Sequence, residues 1–249
     1  MPKYQEIIKA REEEIAKVLQ LLDGKTYKFN EPKLVLIGGY ALRAFIPYSR
    51  ATRDCDFIVQ SRNNEWNIKL INNMLHKILE TETIELKDSY GYLRMIKLLK
   101  EFKKIKISLD FMEKEIHGRE KDDSITLDEL FFDSCRKASF PIGNYSFEMF
   151  VPAYVDYLIL KIISARPSDV RDVVALIREN GLPGTIKQRL KELVGNEKLV
   201  ERKLTLITDE ISHEKFVDSF RGTFPVSVLT ENEKMKVLQQ LTKLIKRTN

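Results

Sequence analysis

Cysteine and histidine are scarce in this sequence. Two cysteines, Cys55 and Cys135, cannot build a disulfide framework or a thiolate zinc site, and three scattered histidines (His76, His117, His213) do not supply the missing ligands. Long apolar runs are also missing. Nothing approaches the roughly 20 residues that cross a bilayer as a helix. The opening stretch, "MPKYQEIIKAREEEIAKVLQLLDG", carries acids and a helical apolar spacing but no apolar signal core, so no export signal is expected. Internal repeats and low-complexity tracts are absent as well. A reducing cytoplasm, with no membrane partner, is the expected setting.

What is present is the composition of a folded protein: 43% hydrophobic and 32% charged. At 249 residues the chain can hold one large domain or two small ones. A net charge of +5 and a pI near 9.0 permit a polyanionic partner without demanding one.

Ile7, Ile8, Ile15, Val18, Leu19 and Leu22 recur at helical spacing, with Gly24 as a stop. A short apolar strand at 34–37 and a brief helix at 40–45, closed before Pro47, follow. A second strand is expected at 55–59 and a helix at 65–80. Strands at 84–86 and 92–99 flank the turn "DSYG". The clearest strand is 105–112, where Ile105, Ile107, Leu109 and Phe111 alternate with Lys106, Ser108, Asp110 and Met112. Near residue 150 the pattern changes. "FEMFVPAY" reads as a last extended piece, followed by helices near 153–165, 168–180, 184–194, 197–220 and 231–247, punctuated by "RPSD", "GLPG" and "FRGTFPV". The expected fold class is α/β (α+β): a mixed sheet with flanking helices over 1–150 and an all-helical domain over 151–249.

The stretch "LVLIGGYALRAFIPYSRATRDCDFIV" carries the chemistry. On a strand, residues i and i+2 share a face. Asp54 and Asp56 therefore point the same way, while Cys55 and Phe57 point into the core. Asp110 lies on the polar face of another strand. If the two strands are neighbours, three carboxylates converge, and such a cluster repels itself unless cations are present. Hard oxygen ligands suit Mg2+, which takes a few carboxylates plus phosphate oxygens. Gly38-Gly39, between a strand and a helix start, lets backbone N–H groups approach a phosphate. The plain alternatives remain open for each feature alone: an Asp-x-Asp in a loop, a Gly-Gly turn, an edge-strand Asp110. Their order along the chain is what joins them.

"GGYAL" followed by "R-x-T-x-D-x-D" resembles the nucleotidyltransferase superfold related to DNA polymerase β, and more narrowly the AbiEii/MenT group of toxins from abortive-infection and toxin–antitoxin systems. The later stretch "VPAYVDYLILKIISARPSDVRDVVALI" resembles that group's helical signature, a lysine on one helix and "K-D-x-x-D" on the next. Lys161 takes the lysine position, and Asp169 and Asp172 the acidic ones. Ser168 stands where the signature has lysine, and Gly39 where the superfold often has serine. The resemblance covers roughly 34–180.

It implies a Mg2+-dependent transfer of a nucleoside monophosphate from an NTP. The acceptor implied is RNA, in particular the 3′ end of tRNA, with an antitoxin protein as partner. The implied catalytic set is Asp54, Asp56, Asp110, Lys161 and Asp169, with metal on Asp54, Asp56 and Asp110. Gly38, Gly39, Thr52, Arg53, Lys161 and Asp172 would face the nucleotide. A non-catalytic RNA- or partner-binding module and a small-molecule nucleotidyltransferase are the alternatives.

Lys161 has an independent reading. It falls in the apolar run "YLILKIIS", where an ammonium is costly unless it reaches water or an anion. Snorkelling is the plain alternative and a triphosphate the functional one. Asp169 is either an acid at a helix start or the residue that orients Lys161. Arg50 and Arg53 flank the acidic pair and either bind phosphate or balance charge. The run "IKLLKEFKKIKI" is a solvated face or a guide for an RNA backbone. Tyr90 and Tyr92 pack in a hairpin or stack on a base.

Overall fold

The computed structural model describes residues 4–22, 33–48, 50–60, 67–79, 82–87, 91–99, 102–113, 115–117 and 123–245. In chain order the first elements are α1 (Tyr4–Leu22), β1 (Leu34–Ile37), α2 (Gly38–Ala41), a 3-10 turn (Leu42–Ala44), β2 (Asp54–Val59), α3 (Asn67–Leu79), β3 (Glu82–Lys87), β4 (Tyr92–Leu99) and β5 (Phe102–Met112). Then come β6 (Glu115–His117), β7 (Ser124–Thr126), α4 (Glu129–Ser134), β8 (Arg136–Ile142) and β9 (Tyr145–Val151). The helices α5 (Tyr154–Ser164), α6 (Pro167–Asn180), α7 (Ile186–Leu193), α8 (Glu197–Ser212), α9 (Phe216–Thr223) and α10 (Glu231–Ile245) follow. The expected stop at Gly24, the turn residues 88–90 and the ends of the helix read over 65–80 lie outside the described residues. No described helix is long and apolar enough to cross a membrane.

The chain divides into two compact units. The first comprises 1–44, 51–115 and 132–152. Its sheet has seven strands in the order β3-β4-β5-β2-β1-β9-β8. It is mixed: β2 is antiparallel to β1 and parallel to β5, and β9 is parallel to β1. Strand alternation decides its faces. Cys55 and Phe57 of β2 and Ile107, Leu109 and Phe111 of β5 are fully buried, and the Phe57 and Phe111 rings stack at 5.0 Å. The helical stripe Ile15, Val18, Leu19 and Leu22 is buried, and α1 packs on β4, β5, β8 and β9. Its Glu14 pairs with Lys97 of β4.

The hairpin β8–β9 is only half legible in sequence. β8 contains Pro141, which argues against a strand because proline cannot donate to a ladder. β8 is the edge strand, where one side of the ladder is unpaired and the missing N–H is tolerated. The turn at Gly143 takes φ +58°, which glycine allows.

The second unit comprises 45–50, 116–131 and 153–249. The expected helix over 197–220 is two helices. His213 takes extended backbone (φ −60°, ψ 137°), α9 restarts at Phe216, and Lys234 Nζ donates to the His213 carbonyl at 3.3 Å. The 116–131 segment is tied to the helices by ions. Asp123 accepts from Arg202 and Lys203 of α8, and Asp128 accepts from Arg189 of α7, which also bonds Asp156 at 2.6 Å.

Candidate active site

Register builds the site. Asp56 is the Cα partner of Ile37 on β1 and of Asp110 on β5, and Asp54 is the partner of Ser108. Partners on adjacent strands share a face at a spacing of about 4.8 Å. Asp54, Asp56 and Asp110 therefore lie on one face, opposite Cys55 and Phe57. Burial holds the Cys55 thiol well above its ordinary range, and Asp56, Asp110 and Asp54 push it in the same direction.

The glycines are there for space. A Cβ on Gly38 would sit 1.9 Å from Asp56 Oδ2, and Gly38 also takes φ +67°. A Cβ on Gly39 would meet Thr52 Oγ1 at 2.9 Å. The first glycine thus admits the carboxylate and the second admits the threonine. Thr52 also donates to the Asp54 carbonyl at 3.3 Å. The helix that starts at the glycines is four residues long before it tightens into a 3-10 turn, too short to bring much dipole to a phosphate. Arg53 is exposed.

Asp110 is not the edge-strand residue of the plain alternative. β5 lies between β2 and β4, so Asp110 is interior and 6% exposed. Both of its oxygens are taken by Arg94 of β4, whose Nε and Nη2 donate at 2.8 Å each. Among the described residues no group of three or more His, Cys, Asp or Glu side chains is placed to hold a metal ion. Arg94 thus occupies both oxygens of the carboxylate that the sequence reading joins to the metal set. Asp54 and Asp56 on the same face are each half-buried. Two hard carboxylates on one face fit Mg2+, which takes one or two carboxylates and completes its octahedron with water and phosphate oxygens. Arg94 was not singled out in sequence: nothing local to "YLRMIK" names a partner sixteen residues on.

The helical unit holds the other signature residues. Lys161 Nζ lies 2.8 Å from Asp169 Oδ1 and 2.8 Å from Asp172 Oδ2. Arg50 donates to both oxygens of Asp172 at 2.8 and 2.9 Å, and Ser164 Oγ donates to Asp169 at 2.7 Å. Two cations and two carboxylates close a neutral, buried network, with the Tyr157 ring 5.7 Å from the ammonium. Burial works against the Lys161 charge, but Asp172, Tyr157 and Asp169 outweigh it and hold the ammonium above its ordinary range. Burial likewise opposes ionised Asp169, and Lys161 and Ser164 overcome it, keeping the carboxyl below its ordinary range. Lys161 therefore does not present a bare charge for a triphosphate. It is 4% exposed and already shared between two carboxylates.

Of the lysine run, Lys97 is used in packing and Lys106 is exposed. Lys100 and the side chains of Lys103 and Lys104 lie outside the described residues, as does Tyr90. Tyr92 is half-buried, with the Arg94 guanidinium 5.7 Å from its ring centre.

Residues 20–235 match the family described as "Nucleotidyl transferase AbiEii toxin, Type IV TA system". The chain belongs to this family, and it is a nucleotidyltransferase. No curated protein sequence matches it. Among solved structures it is similar to an antigenic nucleotidyltransferase-like protein from Paracoccidioides brasiliensis, at 13% identity and a TM-score of 0.48, over 88% of this chain and 96% of that one. It is also similar to JHP933 from Helicobacter pylori, at 13% identity and TM-score 0.46, over 100% of this chain and 96% of that one. A third is MenT4, a nucleotidyltransferase toxin from Mycobacterium tuberculosis H37Rv, at 17% identity and TM-score 0.46, over 93% of this chain and 82% of that one.

Proposed function

We propose that the chain transfers a nucleoside monophosphate from an NTP to a hydroxyl of RNA, at the 3′ end of tRNA, as a toxin restrained by an antitoxin protein. The observation that carries the chemistry is the Asp54–Asp56 pair on one strand face, with Asp56 seated against Gly38. Asp54 and Asp56 would hold Mg2+. When bound, the ion would withdraw charge from the triphosphate and from the leaving pyrophosphate. The acceptor oxygen bonds to the α-phosphorus, the α–β anhydride bond breaks, pyrophosphate leaves, and the acceptor proton passes to solvent. Thr52 and Arg53, which immediately precede the pair, would face the nucleotide. Lys161, Asp169 and Asp172 take a positioning role, tying α5 to α6 and Arg50 to both.

The toxin–antitoxin description of the family supports an antitoxin partner, and the net charge of +5 agrees with a nucleic-acid acceptor. The test is incubation with each α-labelled NTP, Mg2+ and total RNA. Label should enter small RNA, disappear with EDTA, and be absent in Asp56→Asn with the fold intact by circular dichroism. Label on a protein or a small molecule would move the acceptor to that class. Transfer by Asp56→Asn at the native rate would remove the carboxylate pair from the chemistry.

A further inference from the structure

Arg94 and Asp110 form a pair whose two halves are unequally placed. The Asp110 side chain is 9% exposed and the Arg94 side chain 42%. Asp110 spends both oxygens on Arg94, whereas Arg94 spends only Nε and Nη2. Its Nη1 N–H groups have no partner among the described residues. Register places Arg94, Asp110 and Asp56 in one row across β4, β5 and β2. Two strand spacings, about 10 Å, separate the first from the last, which is within reach of a long arginine and a polyphosphate. The Tyr92 ring beside the guanidinium limits its swing. A bridge that served only to join two strands would need neither this exposure nor spare donors on the carboxylate face.

We propose that Arg94 is a phosphate-binding residue of this active site and that Asp110 is its orienting partner, not a metal ligand. The assignment rests on the reading of Asp54 and Asp56 as the metal pair. A guanidinium fixed through two of its nitrogens presents the third to an anion with little orientation left to lose. The ligand class is a polyphosphate or an RNA phosphate adjoining the transferred group.

Inorganic tripolyphosphate and Mn2+ separate the roles without requiring turnover. Calorimetry of tripolyphosphate should show binding to the native protein, about ten- to a hundredfold weaker binding to Arg94→Met, and an intermediate loss in Arg94→Lys and Asp110→Asn. Mn2+ titration by electron paramagnetic resonance should be unchanged in all three and lost in Asp56→Asn. Equal tripolyphosphate affinity in native protein and Arg94→Met, or no binding by the native protein, would overturn the proposal. Weakened Mn2+ binding in Asp110→Asn would return Asp110 to the metal. Native Mn2+ affinity in Asp56→Asn would instead fail the underlying carboxylate reading. Arg94→Lys keeps the charge at an exposed position and serves as the variant whose folding is least at risk.

Discussion

Gly38 meets two demands at once. Its φ of +67° suits glycine, and Asp56 Oδ2 occupies the space where a Cβ would be, at 1.9 Å. Gly38→Ala should cost about 1–2 kcal/mol from the backbone conformation alone. It should also displace the carboxylate, so transfer falls further than stability does. Gly39→Ala meets Thr52, whose Oγ1, Cβ and Cγ2 would lie at 2.9, 3.0 and 3.2 Å, a milder clash than at Gly38 and without its left-handed φ, so its effect should be smaller on both counts. Melting temperature and single-turnover label transfer measure the two terms, and equal effects would remove Asp56 as the reason for the first glycine. The shared face of Asp54 and Asp56 was legible in sequence because strand alternation alone assigns it, whereas the room Gly38 leaves for Asp56 depends on the pairing of β1 with β2. Arg94 was not legible. Its meaning depends on which residue of β5 lies opposite it, and cross-strand register leaves no local mark.

Between elements, the Lys161 network changes what a substitution should do. A lysine reaching solvent phosphate would tolerate methionine. Here Lys161→Met leaves Asp172 to Arg50, and Asp169 to Ser164 and an Arg166 4.0 Å away, and breaking such a buried network costs about 3–5 kcal/mol. Urea denaturation should show that loss, with partial recovery in Lys161→Met combined with Asp169→Asn. Native stability in Lys161→Met together with lost NTP binding would restore the direct phosphate role. The signs with pH follow. Asp169 is held below its ordinary 3.8, so its contribution is present above that value and fades as pH falls through the lower folded one. Lys161 is held above its ordinary 10.5, so its share persists up to that value and fades only as pH rises through the higher folded one. Acid unfolding should accordingly be shallower in Asp169→Asn. The lysine was legible as a cost on an apolar helix. Its partners were legible by spacing, but that they would satisfy it completely was not. The break at His213 had no glycine or proline to announce it.

At the scale of the whole chain, the sequence placed one boundary near 150, while spatial contacts group 45–50 and 116–131 with the helices. Phe45 stacks on Tyr157 at 4.6 Å across more than a hundred residues, and no local pattern encodes such a pairing. Charge is the property of the whole chain that composition does give. With 42 basic and 37 acidic residues, the excess is +5, enough for attraction to a polyanion and too little to bind any anion tightly by itself. An RNA acceptor releases condensed counterions on binding, so its affinity falls steeply with salt, by a slope set by the number of phosphates contacted. The KM for RNA should therefore rise several-fold or more between about 50 and 200 mM salt, while the KM for NTP changes much less. Arg94→Met should raise the KM for NTP without altering the RNA slope if its anion is the triphosphate, and should flatten that slope by about one contact if its anion is an RNA phosphate. A salt-independent KM for the acceptor would contradict a polyanionic substrate and direct the search to small hydroxylated molecules, using the same carboxylate pair.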